Sequence, residues 1–237
     1  MTCPPDAFRS GRDLITLRPG DTWRGAWGVR PADSGGAMEF VEVVRRRRMV
    51  RNYDPDRPVP PEVVDRLLEH ATRAPSAGFS QGWGFLVLEA AEDRDRFWAA
   101  TTPDTGGRDS WLAGMRRAPL IIVPHANQSA YLDRYAEPDK GWTDRSTERW
   151  PVPYWHIDTG FAALLMLLTA VDEGLGACFF GIPPQQWDGY RAAFGVPGEY
   201  EPVGAVTIGY RAGDQRSPSL RRGRRPVDEV VRRGRWT

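Results

Sequence analysis

Arg45-Arg46-Arg47-Arg48-Met49-Val50-Arg51-Asn52-Tyr53 closes the first stretch of this chain to carry a regular period. Just before it, Phe40, Val43 and Val44 recur at helical spacing, so residues 39–47 read as a helix. The arginines at its end are hard to place in a core, because each guanidinium stays charged. Two readings stand. The cluster is a solvated helix end whose charge complements the dipole, or it is an anion-binding segment, since guanidinium forks match the oxygens of a phosphate. Arg221-Arg222 and Arg224-Arg225, near the C-terminus, add weight to the second, because separated basic segments can converge on one phosphate.

The whole chain narrows the choice. It has 237 residues, 41% of them hydrophobic, and a formal net charge of +1. That suits one ordinary domain with a filled core and gives no global reason to expect nucleic acid or an anionic membrane as partner. Lys140 is the only lysine, so overall arginine richness says less than where the arginines cluster. Cys3 and Cys178 lie far apart and form no metal-ligand pattern, which fits a reducing cytosol and no metal. Residues 1–15 carry Pro, Asp and Arg where a signal peptide needs an apolar stretch. The longest apolar run, residues 161–171, is interrupted by Thr169 and falls short of the roughly 20 residues that span a bilayer. A soluble, cytoplasmic protein is expected.

Residues 1–37 hold no period and end in Gly35-Gly36, so they read as an arm preceding a domain over 38–237. Beyond residue 38, Pro60-Pro61-Glu62 opens a helix with Val63, Val64, Leu67, Leu68 and Ala71 on its core face. Residues 85–88, 120–123, 177–180 and 205–208 are apolar runs of strand length. Between them, residues 158–173 form a helix apolar on nearly every side, hence buried all round, in the core or between subunits. Trp187, Tyr190, Arg191 and Phe194 mark one more helix. The class is mixed α and β.

Two connecting segments stand out. Ala74-Pro75-Ser76-Ala77-Gly78-Phe79-Ser80-Gln81-Gly82-Trp83 links a helix to a strand with small residues that allow close approach to something flat. Gly176-Ala177-Cys178-Phe179-Phe180-Gly181 runs a strand into a glycine turn. Either is equally an ordinary connection. There is no P-loop, GxGxxG, HExxH or GxSxG, and His70, His125 and His156 are isolated. A chain so poor in protein-supplied acids, bases and nucleophiles suits chemistry performed by a bound cofactor.

Taken together these segments resemble the nitroreductase family of flavoproteins. The family's basic R-R-S-x-R-x-[FY] element is matched by residues 47–53. Its A-P-S-x-x-x-x-Q-P-W element is matched by Ala74-Pro75-Ser76 with Gln81 and Trp83, and its basic-Pro element by Arg222-Gly223-Arg224-Arg225-Pro226. Order and spacing agree from about residue 39 to residue 232. The resemblance implies an α+β fold, a central mixed or antiparallel sheet flanked by helices, and an interlocked homodimer with FMN at the interface. It implies that Arg47, helped by Arg222 and Arg224, binds the FMN phosphate, with Arg48 and Met49 in the same segment. Arg51 would face flavin N1 and O2, where positive charge stabilises the reduced ring. Pro75, Ser76, Ala77 and Phe79 would come from the partner subunit, and the backbone of Phe180 and Gly181 would lie near N5. Three positions depart from the family: Met49 stands where serine is usual, Phe79 where a polar residue is common, and Gly82 where proline is usual.

Residues 131–155 are the most individual part. Tyr131, Tyr135, Trp142, Trp150, Tyr154 and Trp155 alternate with charged residues. Related enzymes, iodotyrosine deiodinase among them, carry a lid over the flavin here, so Tyr131, Tyr135 and Trp142 are candidates to meet a planar substrate; packing on the neighbouring subunit is the alternative. The implied activity is ping-pong electron transfer from NAD(P)H through FMN to a quinone or nitroaromatic acceptor. Open alongside it are a specialised flavin reaction (dehalogenation, dehydrogenation or flavin fragmentation) and a flavin- or ligand-binding protein without turnover.

Overall fold

The computed structural model describes residues 38–102, 110–213 and 217–236, so the arm assigned to residues 1–37 lies outside the described residues. In chain order the helices are α1 (Phe40–Arg46), α2 (Pro61–Thr72), α3 (Ala91–Thr101), α4 (Ser110–Met115), α5 (Gln128–Ala136), α6 (Tyr154–Asp172), α7 (Trp187–Phe194) and α8 (Val227–Val230). The strands are β1 (Trp83–Leu88), β2 (Leu120–Asn127), β3 (Gly176–Phe180), β4 (Tyr200–Pro202) and β5 (Ala205–Gly209).

The sheet order is β1-β2-β5-β3, with β4 also on β2, and every strand pair is antiparallel. Alternation along the strands feeds two cores. Leu120, Ile122, Val206, Ile208 and Ala177 face α2 and α6. Ile121, Val123, Ala205 and Cys178 face the other way, with Phe97 and Trp98 of α3, Met115 of α4 and Tyr190 of α7. Both faces of β2 are therefore covered, which is why residues 120–123 read as a continuous apolar run rather than an alternating one. Pro124 lies inside this strand. Its carbonyl accepts from Val203 N, so its missing N–H would point to the same side, at the break between β4 and β5, where no donor is needed.

α2 starts with Pro61 in its first turn and buries Val63, Val64, Leu67 and Ala71, the face expected from its spacing. α1 forms where its spacing predicts, between Glu39 and Arg47. Val43 is buried, but Phe40 is 69% and Val44 46% exposed, since among the described residues α1 packs chiefly on α6. α6 starts four residues earlier than its apolar run suggested and spans 19 residues. It is long and apolar enough to cross a membrane by length and composition alone, yet ten of its residues are buried among α2 and the sheet. Within one chain it is not buried all round, since Phe161 and Leu164 are exposed. Asp158, its only acid before Asp172, is 3% exposed.

Candidate functional site

β3 is an edge strand, and among the described residues its outer side is paired where the arginine segment reaches it. Val50 N donates to Ala177 O at 2.9 Å, and Phe179 N points at Met49 Sδ, 3.4 Å away. Farther on, Tyr53 is fully buried; its hydroxyl donates to Val50 O at 2.7 Å and lies 2.9 Å from Thr207 Oγ1. Asp54 N bonds to Tyr210 O, Ala212 N to Asn52 O, and Arg117 Nε to Tyr53 O. Gly114 of α4 is packed so closely on Arg51 that a β-carbon there would overlap the Arg51 carbonyl. The segment is thus fixed by its backbone, and Arg47, Arg48 and Arg51 stay half-buried beside the β3 edge.

Phe180 ends β3 with its ring stacked on Trp98, centroids 5.5 Å apart and planes 8° from parallel. Strand alternation then turns the Gly181 amide to the same outer side as Ala177 O. Gly181 is exposed, with open space among the described residues where a side chain would stand.

The other small-residue segment enters the opposite edge of the sheet, through β1. It is held by side chains. Asp158 Oδ2 accepts from Ala77 N and from the Tyr131 hydroxyl, both at 2.8 Å. Arg134 Nε donates to Gly78 O at 2.9 Å, and Ser76 Oγ accepts from Gln81 N at 3.1 Å. Gly78 lies against the Tyr135 ring, where a β-carbon would overlap it. Pro75 and Phe79 are exposed, and Ser76 and Ala77 half-buried.

The aromatic stretch packs on itself above this segment. Tyr135 meets Trp142 at 4.8 Å and Trp150 at 4.6 Å between ring centroids, and Trp150 also meets Tyr131, Tyr154 and Trp155. Its arginines pair locally: Arg134 with Asp139 and Glu137, Arg149 with Asp144, and Arg145 with Asp133, while the Lys140 ammonium lies 5.2 Å over the Tyr135 ring. Tyr131 is fully buried; burial and then its bond to Asp158 push its hydroxyl well above the ordinary phenol range, so it stays a donor. It supports the loop from beneath, while Tyr135 and Trp142 form the upper part of the cluster.

The histidines hold structural partners. His125 is buried with Nε2 2.9 Å from the Tyr190 hydroxyl, His70 meets Thr169 Oγ1 at 2.8 Å, and His156 meets Glu201 at 2.9 Å. Arg222 and Arg224 lie on a tail, residues 219–236, that is exposed throughout. One chain therefore gathers Arg47, Arg48, Met49, Arg51, Phe180 and Gly181 at one edge. It carries Pro75, Ser76, Ala77, Phe79, Tyr131 and Tyr135 at the other. Asp158, Arg134 and Gly114 were missed from the sequence. An acid alone in an apolar helix was a signal for the first; nothing local marked the other two.

The nitroreductase family matches residues 44–210. A protein of Methanothermobacter thermautotrophicus described as an NADH dehydrogenase/NAD(P)H nitroreductase is 29% identical over 177 residues, 74% of this chain and 78% of its own length. A nitroreductase family protein of Clostridium difficile superposes with a TM-score of 0.63 at 26% identity, covering 84% of this chain and 99% of that one. A protein of Exiguobacterium sibiricum described as a nitroreductase and solved in complex with FMN gives 0.62 at 25% identity, covering 83% and 97%. Fold, motif order and matched length agree, and the chain belongs to the nitroreductase family.

Proposed function

We propose that this protein is an FMN-dependent oxidoreductase acting as a homodimer, passing electrons from NAD(P)H to a conjugated or aromatic acceptor of the quinone or nitroaromatic type. The observation that carries the reading is the separation of the two halves. The arginine segment borders β3 and the Pro75–Ala77 loop leads into β1, at opposite edges of the four-strand order. Three interstrand gaps amount to about 14 Å. Two chains, each giving one edge, would bring both sets against one flavin. Exposed apolar side chains suit such an assembly: Phe40, Val41 and Val44 on α1, Phe161 and Leu164 on α6, and Val227, Val231 and Trp236 on the tail.

The residues present fit FMN. Arg47 and Arg48 offer guanidiniums to a phosphate from a backbone that is already fixed, so little ordering is lost on binding. Arg222 and Arg224 add to them from the tail. Arg51 holds positive charge toward the pyrimidine edge of the ring. Met49, where the family uses serine, ties the segment to Phe179 through its sulfur instead of offering a hydroxyl. Gly181 leaves the strand end open to a flat ring, and Ala77, pinned by Asp158, brings a small side chain from the other subunit. Bound FMN supplies the two-electron chemistry by which donor and acceptor react in turn at one site. The chain's own part is to bind, orient and shield. Tyr135 and Trp142 are assigned to the lid, and Tyr131 to its support.

The test is the visible spectrum of the purified protein, with released cofactor identified and the oligomer measured by sedimentation. Stoichiometric FMN in a dimer, with NAD(P)H-dependent quinone reduction, is the expected result. A colourless protein that refuses added FMN, or a monomer that binds it, defeats the reading.

A further inference from the structure

Within four residues the loop before β1 holds three in the left-handed region: Gly78 at φ 62°, Phe79 at 56° and Gln81 at 50°. Glycine adopts that region freely, but a bulky aromatic residue there is an outlier and persists only where its surroundings over-determine it. Those surroundings are present. Asp158 holds Ala77 N, Arg134 holds Gly78 O, Ser76 Oγ holds Gln81 N, Ser80 Oγ donates to Ala77 O, and the Tyr135 ring closes on Gly78.

The conformation does not serve packing within the chain. Ala74 and Gly82, at the two ends of the loop, are buried, whereas the Phe79 ring is 74% exposed. Within one chain, a strained backbone that drives an apolar ring outward has no folding benefit to offset its cost, which turns attention to what the site completed by a second copy would hold there. The neighbouring wall gives the ligand's character. It is built of Tyr135, Trp142 and Trp150, and Arg134, Arg145 and Arg149 are each paired within the same stretch. Such a wall offers aromatic faces, and its arginines spend their charge internally.

We propose that Phe79 is the acceptor-selecting residue, its ring covering an uncharged planar acceptor at the site completed by a second copy of the chain. This rests on the flavin reading above. It assigns the Phe79 side chain to the acceptor, while the backbone of the same loop faces the cofactor.

The experiment compares full-length wild type, Phe79→Gly and Phe79→Tyr as purified holoenzymes. Three quantities are read: bound FMN, the thermal midpoint, and kcat/KM for a naphthoquinone divided by that for ferricyanide, which is not planar. In Phe79→Gly the midpoint should hold or rise as the left-handed residue becomes glycine. The acceptor ratio should fall between about two- and tenfold, the worth of one lost aromatic contact. Phe79→Tyr should restore the ratio. A lowered midpoint in Phe79→Gly would make the ring a packing residue and overturn the proposal, as would an unchanged ratio in a yellow, dimeric variant. A wild type without FMN overturns the flavin reading itself, and this inference with it.

Discussion

Residues 47–53 and residues 75–82 sit at opposite edges of one sheet and are held by different means. The first segment is bound mainly through its own backbone, to Ala177, Tyr210 and Asn52's partner Ala212, with Tyr53 as a buried peg. The second hangs from the side chains of Asp158, Arg134 and Ser76. A backbone-tied segment keeps its shape whichever side chains it displays, so its arginines can change without disturbing the fold. A side-chain-held loop depends on residues far away in sequence, and a single substitution there releases it.

The largest test of that difference is Asp158→Ala. It leaves the Ala77 amide and the buried Tyr131 hydroxyl without their acceptor, at about 1–3 kcal/mol each, so a loss of roughly 2–6 kcal/mol is expected. Urea unfolding measures it; a loss below about 1 kcal/mol would mean that the loop is held by something else.

Acid attacks the neighbouring strand from the other face of the sheet. His125, paired with Gly84 of β1, has its pKa lowered from 6.5 to about 4, first by burial and, against two backbone hydrogen bonds, by the charge of Arg191. Because the folded value lies below the unfolded one, protonation favours unfolding. Stability is intact above about pH 6.5 and falls as the pH drops toward 4, by about 3 kcal/mol. Denaturant midpoints of wild type and His125→Phe across that range check it, and parallel curves would remove His125 as the cause.

The backbone-tied edge should respond in the opposite manner. Arg47→Ala is expected to weaken FMN retention by roughly 1.5–3 kcal/mol through one lost charge-assisted contact, while stability of the apoprotein moves within about 0.5 kcal/mol. Titration of apoprotein with FMN and thermal unfolding separate the two; a large fall in stability with unchanged affinity would reverse the comparison. The smallest effect belongs to Ser76→Ala, which removes one partly exposed acceptor and should cost about 1 kcal/mol. Faster amide exchange confined to residues 76–81 would show it.

Much of this architecture was legible because burial is periodic. The spacing of Val63, Val64, Leu67 and Ala71 fixed α2, and uninterrupted apolar runs marked strands covered on both faces. Spacing reports that a side chain is apolar, however, and is silent about what it meets. Phe40 and Val44 lie on a helical stripe and yet face outward. Tyr131 and Tyr135 are one helical turn apart in α5, and the deeper of the two is absorbed as support for a loop more than 50 residues earlier in sequence. α3 escaped notice because Phe97 and Trp98 stand nearly alone among acids and arginines. The arginine, Ala-Pro-Ser and tail motifs were readable as motifs, but the reason the second holds its shape lay in Asp158, Arg134 and Tyr135, which only the folded chain brings to it.

Among the described residues the flank of β3 past the arginine segment has no strand beside it, which bears on keeping the protein in solution. A bare strand edge is a template on which a foreign strand can form its own ladder. Here the stretch past the Ala177 bridge runs only to Phe180, and Pro183 and Pro184 follow within four residues. Proline cannot extend a ladder. The edge is therefore long enough to accept the rim of a small flat molecule and too short to recruit another chain, which guards against aggregation whenever the protein is made faster than its site is filled.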